Sequence, residues 1–168
     1  MNFQYEKWKN LGLSKVLTRA LADCNFLKPT KIQELAIPCI FSGKDVLGRS
    51  VTGSGKTAAF LLPLMQKLYE NKFSNYIKGV IILPTRELAF QCYEMFKVLN
   101  AYTKLSCAVL IGKIPLIKQE NELRKIPDLV IATPGRIVDI NKNSRDIYFD
   151  DADFLIFDEA DRLLDMGF

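Results

Sequence analysis

The sequence contains no histidine, and its four cysteines, at positions 24, 39, 92 and 107, are scattered without a Cys-x-x-Cys pair. A zinc site needs closely spaced thiolates or imidazoles, so a zinc-organised module is excluded. The cysteines read instead as reduced, buried thiols of an intracellular protein. No apolar run approaches the ~18 residues of a membrane-spanning helix. The opening Met-Asn-Phe-Gln-Tyr-Glu-Lys lacks the basic and apolar regions of a signal peptide. Internal repeats and low-complexity segments are also missing. What remains is ordinary for one globular domain with a full core: 168 residues, 49% hydrophobic and 25% charged. The net charge of +4 permits an acidic partner such as nucleic acid without demanding one, and a lysine-rich solvated surface accounts for it equally well.

The most informative stretch is the seventeen-residue run Asp45 to Leu61, an apolar strand start, a glycine-rich turn, and Lys56-Thr57 opening a helix. Gly53 and Gly55 permit a loop whose backbone N–H groups converge on an anion, backed by the positive end of the following helix. Lys56 would reach the β- and γ-phosphates of a nucleotide, and the Thr57 hydroxyl would sit on Mg²⁺. The general motif begins with glycine where this chain has Ser50. The alternative, a glycine-bearing turn before an ordinary helix, is disfavoured because Gly-Lys-Thr follows a strand and starts a helix as the motif requires.

Apolar spacing predicts a helix over Ser14–Asn25, and Pro29-Thr30 opens a second, to about Ser42, with a bend at Pro38. Short apolar runs then alternate with helical stretches. Strands are predicted at Asp45–Gly48, Gly79–Leu83, Ala108–Ile111, Leu129–Ala132 and Phe154–Phe157. Helices are predicted at Lys56–Tyr69, Arg86–Asn100, Pro115–Lys125, Pro134–Asn141 and Glu159–Asp165, with a polar surface loop over Asn141–Asp151. Continuously apolar strands are buried on both faces, which means an α/β fold with a parallel sheet between helices. Ligands bind such sheets at the carboxyl ends of the strands. There the sequence places the phosphate loop, Pro84-Thr85-Arg86, Gly112-Lys113, Thr133-Pro134-Gly135-Arg136 and Asp158-Glu159-Ala160-Asp161.

An apolar strand ending in Asp158-Glu159 complements a phosphate loop. Asp158 would hold Mg²⁺, partly through water, and Glu159 would orient and deprotonate the attacking water. Acidic residues also favour a first helical turn for purely structural reasons. Thr85 and Thr133 both read as N-caps, with Pro134 at the first helical position. Arg86 and Arg136 beside such helix starts suit a phosphate backbone, and the residues alone leave both readings open.

Residues Trp8 to Phe168 resemble the first RecA-like domain of the DEAD-box ATP-dependent RNA helicases. Asn25-Phe26-Leu27-Lys28-Pro29-Thr30-Lys31-Ile32-Gln33 is similar to that family's Q motif, with Trp8 at the isolated upstream aromatic position. The resemblance implies that Gln33 reads adenine, Phe26 packs on its ring and Thr30 braces the phosphate loop. It also places Trp8, Ser50, Thr52, Gly53, Ser54, Gly55, Lys56 and Thr57 around ATP, with Lys56, Asp158 and Glu159 catalytic. Thr57 and Asp158 then hold Mg²⁺. Pro84, Thr85, Arg86, Gly112, Thr133, Pro134, Gly135 and Arg136 carry over as contacts to the RNA sugar-phosphate backbone, and Asp161 as a link between lobes. The chain departs from the family at Lys113, where a second glycine is usual, and at Asn25 and Lys31, where small residues or proline are usual.

The sequence stops seven residues past Asp161, before the family's Ser-Ala-Thr motif and second RecA-like domain. Residues 1–43 then form the Q-motif region and 44–168 a RecA-like domain incomplete at its C-terminal end. In that family the second lobe delivers arginines to the γ-phosphate, so this lobe alone is expected to be nearly inert as an ATPase. The runs Thr-Gly-Ser-Gly-Lys-Thr-Ala-Ala-Phe and Pro-Asp-Leu-Val-Ile-Ala-Thr-Pro-Gly-Arg look most like nucleolar helicases of large ribosomal subunit assembly. This implies a monomeric protein of the nucleus or nucleolus, with cytoplasm as the alternative, free of membranes. Two rivals are a P-loop nucleotidase of another class acting on DNA and a non-catalytic fragment that binds ATP and RNA.

Overall fold

The computed structural model describes residues 2–71, 74–144 and 146–167. Arg145, inside the expected 141–151 loop, and Phe168, the last residue of the stretch resembling the helicases, lie outside the described residues. The chain divides into two compact units, one of Met1–Glu70 with Met95–Lys104 and one of Asn71–Glu94 with Leu105–Phe168.

The first unit contains α1 (Tyr5–Asn10), α2 (Lys15–Asp23), α3 (Lys31–Phe41) and α4 (Lys56–Glu70). Periodicity does not reveal α1, a six-residue helix whose one buried residue is Trp8. In α2 the buried stripe Leu17, Ala20 and Leu21 follows the predicted spacing, and the Ser14 side chain caps its start. Its end explains an oddity of the sequence. Asn25 takes φ +58°, with its N–H bonded to the Ala22 carbonyl, and the Phe26 N–H reaches back to the Leu21 carbonyl at 2.9 Å. That is a Schellman turn, whose left-handed position asparagine tolerates better than other residues with side chains. α3 continues through Pro38 to Phe41.

The strand predicted at Asp45–Gly48 does not form, and Val46 and Leu47 are 41% and 97% exposed. An apolar extended segment becomes a strand only where another strand offers its backbone N–H and C=O groups. None among the described residues pairs with this one.

The second unit contains β1 (Gly79–Ile82), the start of α5 (Arg86–Leu99), β2 (Cys107–Leu110), α6 (Leu116–Leu123), β3 (Leu129–Ala132), α7 (Pro134–Asn143), β4 (Phe154–Phe157) and α8 (Ala160–Asp165). The strands form a parallel sheet in the order β2-β3-β1-β4. In register, Ile81 stands between Ile131 and Ile156. One face packs Val80, Ala108, Leu110, Val130 and Ala132 against Leu123 of α6 and Ile140 of α7. On the other face, Cys107 of β2 feels Cys92 of α5, which sets a helix over that side too. Each large aliphatic side chain buried here contributes about 1.5–3 kcal/mol, so the interior strands β3 and β1 anchor the unit. Every strand points its carboxyl end the same way and delivers its terminal motif to one edge. No helix among the described residues is long and apolar enough to cross a membrane.

Candidate functional site

The phosphate loop lies in the first unit and is held by its own side chains. The Lys56 ammonium donates to the Ser50 carbonyl at 2.8 Å, and the Ser50 and Ser54 hydroxyls are 2.6 Å apart. Gly53 and Gly55 take φ +80° and +91°, the left-handed conformation that a run of inward-facing N–H groups needs. A Cβ on Gly55 would stand 2.6 Å from Gln33 Nε2 and 3.1 Å from Thr30 Oγ1. The loop and the Q motif are therefore in direct contact. Thr52 is exposed, and Thr57 is half-buried on the first turn of α4.

Gln33 is buried and makes that contact polar. Its Oε1 accepts from the Thr30 N–H at 2.8 Å, closing the start of α3, and its Nε2 donates to the Gly55 carbonyl at 3.1 Å. Two amide valences are thus spent inside the protein, leaving one N–H and one lone pair for a base edge. Trp8 is 0% exposed and its indole N–H donates to the Phe26 carbonyl at 3.0 Å. Its ring offers no face to a ligand. The place of Trp8 is beneath Phe26, which lines a cleft of 340 Å³ with Gln4, Asn25, Leu27 and Lys28 among others.

In the second unit, the eight residues carried over as RNA contacts line a single cleft of 460 Å³: Pro84, Thr85, Arg86, Gly112, Thr133, Pro134, Gly135 and Arg136. The N-termini of the fourteen-residue α5 and the ten-residue α7 both open into it. Free N–H groups and aligned peptide dipoles at two helix starts make an anion-attracting floor. A Cβ on Gly112 or Gly135 would meet nothing within 4 Å, so the cleft is open above both. Thr85 caps α5, its Oγ1 accepting from the Leu88 N–H at 3.2 Å, whereas the Thr133 side chain makes no cap bond.

The two arginines differ. Arg86 is 36% exposed along its side chain and stands 3.6 Å from the Glu87 carboxylate. Arg136 is only 12% exposed, its Nη1 donates to the Ile114 carbonyl at 2.7 Å, and its Nε faces Asp139 at 4.0 Å. Arg136 therefore ties α7 to the 111–115 loop. A residue that motif reading passes over completes the tie. Gln119 of α6, 4% exposed, accepts from the Ile111 N–H at 2.9 Å and donates to the Ile111 and Ile114 carbonyls at 3.0 and 3.2 Å. Its signal was a polar residue on the inward stripe of partly buried Leu116 and buried Gln119 and Leu123.

Asp158 and Glu159 follow β4 in the second unit. The Asp158 backbone N–H bonds to the Ile82 carbonyl at 3.1 Å, and its Oδ1 accepts from the Glu159 N–H at 3.0 Å. Glu159 sits at φ +54° as the N-cap of α8, and its carboxylate pairs with Arg162 at 3.1 Å. Behind them is Cys92, buried in α5, whose thiol is pushed up to about 12 by burial, with the Asp158 charge adding to the shift. Asp161 is exposed on the first turn of α8. The Thr57 hydroxyl in the first unit and the Asp158 carboxylate in the second are each hard oxygen donors of the kind Mg²⁺ takes.

A parallel sheet with its motifs at one edge, with helices on both faces and a Gly-Lys-Thr loop, defines a RecA-like nucleotide-binding fold. The family model described as DEAD/DEAH box helicase matches residues 30–168, and the chain belongs to that family. It is 47% identical over 162 residues to a probable ATP-dependent RNA helicase ddx27 of Dictyostelium discoideum, covering 96% of this chain and 21% of that protein. It is 43% identical to the ATP-dependent RNA helicase drs1 of Aspergillus oryzae, covering 97% and 20%. Among solved structures, Mss116p bound to ssRNA and AMP-PNP superposes with a TM-score of 0.88 at 35% identity, covering all of this chain and 35% of that one. The helicase Prp28 from Chaetomium thermophilum bound to ADP gives 0.85 at 36% identity, covering 96% and 40%. The chain spans about a fifth of the length of these curated relatives.

Proposed function

We propose that this chain is the ATP-binding and RNA-backbone-binding lobe of an ATP-dependent RNA helicase, with residues 1–43 as its Q-motif region and 44–168 as its RecA-like domain. The observation that carries the reading is the convergence of eight motif residues from three strand ends on one cleft floored by two helix N-termini. Such a floor attracts phosphate and addresses no base edge, so RNA would be held without regard to sequence. The similar structures, Mss116p bound to ssRNA and AMP-PNP and Prp28 bound to ADP, support the same pairing of ligands.

In this reading the Lys56 ammonium exchanges the Ser50 carbonyl for the β- and γ-phosphates. Gln33 presents its remaining N–H and lone pair to adenine, and Phe26 supplies an apolar face. Glu159 orients water and takes its proton. Thr57 and Asp158 hold Mg²⁺, which neutralises phosphate charge when bound. Asp161 couples this lobe to a second RecA-like lobe whose arginines face the γ-phosphate. An arginine of that kind is worth about 10³–10⁵ in rate, so residues 1–168 alone turn over slowly. The protein acts as a monomer in the nucleus or nucleolus, with cytoplasm as the alternative, and the resemblance of the phosphate-loop and Thr-Pro-Gly-Arg runs to the helicases of large-subunit assembly supports the nucleolar placement.

The test is RNA-stimulated ATP hydrolysis by the full-length protein beside its Lys56→Ala and Glu159→Gln variants, with GTP and DNA as competitors. Both substitutions abolish turnover, ATP outcompetes GTP, and RNA stimulates more than DNA. Unchanged turnover in Lys56→Ala at equal circular dichroism removes the phosphate-loop assignment. DNA stimulation favours a nucleotidase of another class, and ligand binding without phosphate release favours a non-catalytic module.

A further inference from the structure

The cleft of the second unit has two arginines, and both already face carboxylates on its wall, Arg86 beside Glu87 and Arg136 beside Asp139. Arg136 is further committed to the Ile114 carbonyl. A cation adjoining the cleft in sequence, with no such commitment among the described residues, is Lys113. It is exposed, it follows the cleft-lining Gly112, and it has no hydrogen bond or ion pair among the described residues.

Its backbone is equally unusual. Lys113 takes φ +67°, a conformation that costs a residue with a side chain and that glycine would adopt without strain. Asn25, another of the departures from the family pattern, is a good left-handed residue, and lysine is not. The conformation is imposed from outside. Gln119 holds the loop at Ile111 and Ile114, and Arg136 holds it again at Ile114, so residues 112 and 113 are suspended between fixed points. A charge on a loop held at both ends loses little freedom on meeting a phosphate.

We infer that Lys113 is an additional phosphate-contacting residue of the RNA cleft, supplying there the cationic charge that the two ion-paired arginines supply only in part. The inference rests on the reading of the cleft as an RNA-backbone site. One lysine–phosphate contact on a single strand contributes about 0.7 to the slope of log affinity against log salt.

The experiment measures binding of fluorescein-labelled oligo(U), and of an unrelated unstructured RNA, to the full-length protein with Mg-AMP-PNP across a salt series. Lys113→Gly and Lys113→Gln each lower the slope by about 0.7 and weaken binding about three- to five-fold near 0.15 M salt, equally for both RNAs. Lys113→Arg keeps the wild-type slope. Lys113→Gly also raises the melting temperature by about 2–4 °C, because it relieves the left-handed strain, and Lys113→Gln does not. A purely structural role would move the melting temperature and leave the slope alone. If Lys113→Gly and Lys113→Gln leave the slope unchanged while Arg86→Ala lowers it, the role of Lys113 is overturned and the cleft assignment stands. If Arg86→Ala leaves it unchanged as well, both are overturned.

Discussion

The Gln33 side-chain amide donates to the Gly55 carbonyl at 3.1 Å while accepting from the Thr30 N–H at 2.8 Å. One side chain thus closes a helix start and holds the phosphate loop. A change in either segment is transmitted to the other through two hydrogen bonds in a buried place, where an unmet partner costs about 1–3 kcal/mol.

Gly55→Ala tests that link most sharply. The added Cβ would fall 2.6 Å from Gln33 Nε2, at a φ of +91° that alanine adopts only with strain. The variant should lose about 1–3 kcal/mol of stability, read from its urea midpoint, and at least ten-fold in affinity for a fluorescent ATP analogue. Wild-type binding by Gly55→Ala would show that loop and Q motif move independently.

Gln119→Leu keeps the apolar stripe of α6 and removes the clamp on the 111–115 loop. It leaves the Ile111 N–H without its buried partner, for a cost of about 1–3 kcal/mol. RNA affinity should fall while affinity for the ATP analogue holds, since the loop belongs to the cleft and not to the phosphate loop. Equal loss of both ligands would mark a general unfolding effect.

Ile126 is a β-branched residue at φ +53°, half exposed, directly before Pro127. β-branched side chains are poorly suited to left-handed backbone, and residues before proline favour extended geometry. Ile126→Asn should gain about 1 kcal/mol and raise the melting temperature by about 2–4 °C. A lower melting temperature would mean that the Ile126 side chain makes packing contacts outweighing its strain.

The fold protects the Cys92 thiol, raised to about 12 by burial and by the Asp158 charge, from ionising. Because the folded pKa lies above the unfolded value, the associated stability is complete below about pH 8.5 and is lost as pH rises toward 12, by up to about 1.4 kcal/mol per pH unit. Burial pushes Cys107 in the same direction. Urea midpoints at pH 8 and pH 10 should converge in Cys92→Ala relative to wild type. An identical pH dependence in the variant would remove Cys92 as the source.

Much of this site was legible because short motifs carry their own chemistry. Gly53, Gly55 and Lys56 sit at the start of α4, and the residues of the cleft sit where their strand ends and helix starts place them. The missed parts depend on partners distant in sequence. Nothing local announces that Trp8 is buried under Phe26, that Arg136 is spent on Ile114, or that Gln119 clamps a loop. The expected strand at Asp45–Gly48 failed for a related reason, since apolar periodicity reports the readiness of a segment to pair and not the presence of a partner. The departure at Asn25 has a local reason, since asparagine suits the left-handed turn that ends α2.

The sheet is not uniformly protected. β3 is buried along its length, whereas β4, among the described residues, pairs only with β1 and leaves Leu155 and Phe157 57% and 52% exposed. Local opening proceeds from the less covered elements, so in residues 1–168 taken alone the amides of β4 exchange with solvent earlier than those of β3. Asp158 and Glu159 follow β4 directly. Within residues 1–168 the carboxylates assigned to chemistry are thus carried by a strand with less cover than β3, and their alignment rests on fewer neighbours than the core of the sheet does.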